Sequence, residues 1–201
     1  MKRLLAILAS VVVVAGAIVL FNNNRISANP SDSNGWFAAG SNPTEYLMEL
    51  NEAGKHSGSK GAMIKYTASG KPSGFGTYMQ MHKPGAWLGK KIKMTGWVKT
   101  EGVDGWCGMW CRVDGPSRGE SLDFDNMQDR ALKGTTGWTK CEIIMNVQKE
   151  ATAIAYGVLL DGRGVAYFDD ITFEVLGDAV PGESHKSSQI ANSPANLNME
   201  N

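Results

Sequence analysis

Two stretches, Lys91–Thr100 (KIKMTGWVKT) and Gly105–Gly115 (GWCGMWCRVDG), flank the short acidic segment Glu101–Asp104 and decide the fold. Both alternate with a period of two, which is the signature of a strand rather than a helix. In the first, Ile92, Met94, Gly96 and Val98 share one side, and Lys93, Thr95, Trp97 and Lys99 the other. In the second, Cys107, Met109, Cys111 and Val113 form a small apolar face opposite Trp106, Gly108, Trp110 and Arg112. The pattern predicts a β-hairpin that turns at Glu101–Asp104 and gathers Trp97, Trp106 and Trp110 on one outward surface. Charge sets that orientation. Turning the tryptophans inward would bury Lys93, Lys99 and Arg112, and an unpartnered buried cation costs several kcal/mol.

Working outward, more short strands appear. Ala62–Ala68 alternates, and Phe75–His82 sets Phe75, Thr77, Met79 and Met81 against Gly76, Tyr78, Gln80 and His82. The second of these faces mixes aromatic and hydrogen-bonding groups, as the tryptophan surface does. Trp138–Val147 alternates again, Ala153–Leu160 is almost continuously apolar and suits a strand buried on both faces, and Val165–Val175 closes the series. Ser41–Thr44 predicts a cap for a short helix over Glu45–Asn51, and Pro116–Gly137 reads as a long loop. With 24 glycines and little helical periodicity, the 201 residues predict one all-β domain over 36–176.

Ahead of that domain lie a basic flank, Lys2–Arg3, and an apolar run, Leu4–Phe21. Residues 1–28 are read as a signal peptide or an uncleaved membrane anchor, and 29–35 as a linker. Either outcome places the body of the protein outside the cytoplasm, with the membrane touched only through the N-terminal segment. Residues 177–201, poor in apolar groups, are read as a disordered tail. Removing Lys2, Arg3 and Arg25 leaves 17 positive against 20 negative groups, a net of −3, which gives nucleic acid no electrostatic footprint.

Catalytic patterns are weak. His56, His82 and His185 have no metal-pair spacing, and no G-x-S-x-G is present. Asp123, Asp125 and Asp129 sit in a polar loop where carboxylates usually bond turn amides. A non-enzymatic module without cofactor is expected. Cys107 and Cys111 lie four apart on one strand, about 13 Å between Cα atoms and too far to bridge. Cys141 is the feasible partner for either, so the expectation is a bridge from Cys141 to Cys107 or Cys111, or three buried thiols.

The closing YFDDITFEV (Tyr167–Val175) and the segment LGKKIKMTGWVKT resemble strands of the galactose-binding-like jelly rolls that include many carbohydrate-binding modules. GFGT before Met79–Gln80, GWVKTEGVDGW, RVDGP, FDNMQDR and KGTTGW are similar to a bacterial domain of this fold that also occurs attached to transcriptional regulators. Cys107, Cys111 and Cys141 depart from that subgroup, which has small or apolar residues there. The resemblance implies a jelly-roll β-sandwich and, broadly, a saccharide or envelope-glycan ligand. It also implies a structural calcium near Asp170, but Trp36–Ala39 lacks the acidic partner, and a role for Asp169–Asp170 in bonding backbone at a strand bend is the better expectation. The expected saccharide site has Trp97, Trp106 and Trp110 as stacking platforms, with Tyr78, Gln80, His82 and Arg112 as hydrogen-bonding partners. The alternative is a structural or sensory envelope domain that docks its aromatic face onto a partner protein.

Overall fold

The computed structural model describes residues 35–184 and, near the N-terminus, two paired two-residue strands, Val13–Val14 and Ala17–Ile18. The apolar run Leu4–Phe21, the linker up to residue 34 and the segment 185–201 otherwise lie outside the described residues. Among the described residues, no helix is long and apolar enough to cross a membrane.

Nine antiparallel strands build the domain: β1 (Phe37–Gly40), β2 (Tyr46–Asn51), β3 (Gly61–Tyr66), β4 (Phe75–His82), β5 (Lys90–Asp114), β6 (Ser121–Asp125), β7 (Leu132–Val147), β8 (Ala153–Asp161) and β9 (Val165–Asp178). One layer runs β1-β4-β8, then the second half of β5, then β6. The other runs β2-β3-β9, then the first half of β5, then β7. This is a jelly-roll β-sandwich, all-β as the alternation predicts.

The expected hairpin does not form. Lys90–Asp114 is a single strand of 25 residues that passes from one layer to the other. Its register against β7 slips three times between Val98 and Cys107, and Gly102 takes φ +60 at the bend. The left-handed conformation there is open to glycine without steric penalty, so the chain bends where the acidic segment would otherwise reverse it. The two halves therefore face each other across the core: a Cβ placed on Gly96 would lie 3.1 Å from Met109 Sδ.

That core is built from the residues the alternation selects. Ile92, Met94 and Val98 from the first half, and Cys107, Met109, Cys111 and Val113 from the second, have no exposed surface. Ile154–Leu160 is buried throughout, as the apolar run predicts. Lys93 and Lys99 stay at the surface in ion pairs with Glu174 (2.7 Å) and Glu101 (2.8 Å).

Other expectations need revision. Glu45–Asn51 is not a helix: Pro43–Glu45 forms one 3-10 turn, and Tyr46–Asn51 is a strand paired with β3. Strand pairing overrides the weak capping signal because Tyr46 is needed inside. Its hydroxyl, held neutral by a pKa that burial pushes up to about 12, donates to the carbonyls of Gly74 (2.7 Å) and Gly162 (3.2 Å). Within the expected loop 116–137, Ser121–Asp125 is an edge strand and β7 already begins at Leu132. β9 runs to Asp178, past the expected domain limit at 176. Residues 179–184 follow it along the end of the sandwich, where Asn146 binds Val180 N–H and the Glu183 carboxylate.

Candidate ligand-binding cleft

The seven residues of the expected site fall in three places. Trp106, Trp110 and Arg112 point outward from the β1-β4-β8-β5-β6 layer, as their alternation requires. Trp97 lies on the outer face of the other layer, because the two halves of β5 belong to different layers. Tyr78, Gln80 and His82 are opposite Met109, Cys111 and Val113 across β8, so they face the interior. A single outward platform made from all seven is not what the chain builds. Sequence alternation separates the two faces of β4 but does not say which one is inside, since both carry apolar groups.

The outer face at Trp110 is an apolar carpet. Trp110 is only 7% exposed, packs with Met79, Ala155 and Leu159, and is flanked by Phe37, Phe75, Trp106 and Phe124. Its indole N–H donates to the buried Thr77 hydroxyl at 2.8 Å, two strands away, so the ring lies flat across β8. Trp106 N–H donates to Asp161 (3.1 Å), and Arg112 is held in a fork by Asp114. Trp110 is thus a packed constituent of the face, not a free stacking ring.

The concavity lies instead where the two layers part. A cavity of about 390 Å³ opens between Gln80 and Tyr156 on one layer and Phe168, Ile171 and Phe173 on the other, with Trp36 at its mouth and Lys60–Gly61 and Asp169–Asp170 as its rim. Trp36 is half-buried against Tyr78 (5.6 Å between centroids), Tyr156 (5.9 Å) and Phe168 (5.3 Å). From Tyr156 the rings continue to Phe173 (4.9 Å) and Trp87 (4.7 Å), and His82 closes on Trp87 and Tyr156. Burial raises the Tyr156 pKa, so the phenol stays protonated and donates to Gln80 Oε1 at 2.9 Å, which fixes the amide. Rings and oriented polar groups thus converge on one concave site. Gln80 lines it, Tyr78 packs against Trp36, and His82 packs on Trp87 and Tyr156 outside the lining. The apolar run Ala153–Leu160 hides Tyr156 in the sequence, where a lone Tyr beside Gly157 is the available signal.

The rim is shaped by a bulge. Between Asp169, opposite Trp97, and Thr172, opposite Thr95, β9 carries one extra residue, and Asp170 adopts φ +53. The bulge shifts the alternation, so that Phe168 and then Ile171 and Phe173 all pack inward while the two aspartates reach the surface. Asp169 Oδ2 accepts from the backbone N–H of His56 (2.9 Å) and Ser57 (3.1 Å). Asp170 accepts from the Ser57 hydroxyl (2.6 Å) and His56 Nδ1 (2.7 Å), bonds that hold its carboxyl below the usual range. The carboxylates are engaged with the loop in the role expected at a strand bend. They do not fit a calcium site as arranged, and no group of three or more His, Cys, Asp or Glu among the described residues is placed to hold a metal. Cys107, Cys111 and Cys141 are free and buried, the second of the two expected outcomes, and burial pushes the Cys141 thiol up to about 11.

No protein-family model matches the chain. An uncharacterised HTH-type transcriptional regulator of Bacillus subtilis (strain 168), YbfP, is 32% identical over 167 residues, 83% of this chain and 56% of the regulator. The chain therefore spans little more than half the length of that relative. Among solved structures, the CBM22-1 xylan-binding domain of Paenibacillus barcinonensis Xyn10C superposes with TM-score 0.53 at 13% identity, over 73% of this chain and 89% of that domain. The Clostridium thermocellum Xyn10B CBM22-1–GH10 modules complexed with xylohexaose give 0.51 at 18% identity, over 71% and 26% of the two chains. The enzymatically active domain of bacteriophage CBA120 tailspike protein 4 gives 0.54 at 9%, over 71% and 20%. The chain has the β-sandwich jelly-roll fold of carbohydrate-binding modules.

Proposed function

We propose that the protein is an exported, non-catalytic module that binds a saccharide in the cleft between its two layers. One observation carries the reading: Trp36, Tyr156 and Phe173 line a concave site beside an amide that is already oriented. Sugars present C–H faces that rest on aromatic rings and hydroxyls that need planar polar partners, and this cleft supplies both. The fold shared with xylan-binding modules favours saccharides over other small ligands. The apolar run Leu4–Phe21 behind a basic flank supports export. Calorimetric titration with a panel of neutral oligosaccharides beginning with xylohexaose tests the reading. Gln80→Leu keeps the side-chain volume but removes the amide, and it is expected to weaken binding about tenfold, the loss of roughly 1.4 kcal/mol.

A second reading has its own observation. Met81 is 54% exposed at the edge of the apolar carpet around Trp110, a surface suited to a partner protein rather than a sugar. Met81→Glu would abolish such docking and leave saccharide binding unchanged.

A further inference from the structure

We propose that the loop 55–60 is a latch, and that His56 and Ser57, acting through Asp169 and Asp170, position the Lys60–Gly61 wall of the cleft; its effect on affinity rests on the saccharide reading above. The loop springs from a pinch in which two glycines touch: a Cβ on Gly61 would lie 1.9 Å from Gly54 O, and one on Gly54 2.6 Å from Ala62 O. Between them, Lys55–Lys60 are exposed. The side-chain anchors on this span are the four hydrogen bonds to Asp169 and Asp170. A carboxylate only accepts, so the bond to Asp170 requires the proton on His56 Nδ1.

The imidazole is held on its other side by rings. It stacks on Trp97 at 4.3 Å and 14°, and meets Trp138 edge-on at 5.2 Å. Imidazole over indole is favourable by π-stacking and gains further when the ring is charged. Trp97, expected as a sugar platform, is thus covered by the chain's own His56. The same two aspartates sit on the bulge that lines the cleft, so one element both anchors the loop and walls the site. Releasing the loop frees Lys60, while Gly61 stays paired with Asn51 at the start of β3, and widens the opening beside Trp36.

Amide hydrogen exchange and indole N–H resonances of the full chain test this without ligand. Ser57→Ala and His56→Ala are expected to raise exchange across 54–60 at least tenfold while amides of 92–98 keep theirs, and to move the Trp36 indole resonance. Ser57→Thr, which retains the hydroxyl, restores both. Unchanged exchange in 54–60, or a stationary Trp36 resonance, overturns the latch. With the oligosaccharide panel, the Ala variants are expected to bind about fivefold more weakly than wild type. Equal affinity overturns the coupling of latch to cleft. Failure of the wild type to bind overturns the saccharide reading, and the exchange and resonance measurements still decide the latch.

Discussion

At the scale of single residues, Trp110 shows how an outward-facing ring becomes structural. Its neighbours leave it 7% exposed and Thr77 satisfies its N–H, so Trp110→Ala removes packing and one hydrogen bond, while the Thr77 hydroxyl keeps its bond to the Val158 carbonyl. Large-to-small changes of this kind cost about 3–5 kcal/mol, and a urea melt is expected to show a loss in that range. Trp106→Ala, at a half-buried position on the rim of the same face, is expected to lose less than half as much. The cysteines give a second test. Thiol counting on denatured, unreduced protein is expected to return three free groups, while a count of one would mean a bridge that the fold does not contain. Their high pKa values follow from burial and make them inert small hydrophobes.

At the scale of elements, the bulge at Asp170 joins fold to site. Hydrogen bonds from Ser57, then His56, depress the Asp170 pKa, so the carboxylate contributes stability above the ordinary carboxylate range. That contribution is lost as pH falls through the lowered value. Protection of the amides across 54–60, taken relative to their intrinsic exchange rates, is therefore expected to fall in acid in the wild type, and Asp170→Asn, which keeps a residue tolerant of the left-handed conformation, should flatten that dependence. The bulge was legible in outline, since Phe168, Ile171 and Phe173 cannot share one face of a regular strand. Nothing nearby in sequence named its partner loop. The same limit explains β5. Period two fixed which side chains share a face, and Cys107, Met109 and Cys111 are inward as read. A bend and a reversal, however, both draw on glycine and aspartate, and only contacts distant in sequence, such as Gly96 against Met109, separate them. Trp36 and Tyr156 come together for equally non-local reasons, so alternation could supply the fold but not the cleft.

At the scale of the molecule, a sandwich whose layers part along one side presents a concave aromatic wall at Trp36, Tyr156 and Phe173. Export is tested by fractionating cells that express the full chain: the protein is expected in membrane or extracytoplasmic fractions, and recovery from the cytoplasm alone would contradict it. The most direct test of the central claim is an NMR-monitored titration of the full chain with the oligosaccharide panel. Saturable shifts are expected at the Trp36 indole, Gln80 and Tyr156, with Trp106 and Phe124 unmoved; no binding, or shifts confined to the outer face around Trp106 and Phe124, would contradict saccharide binding in the cleft.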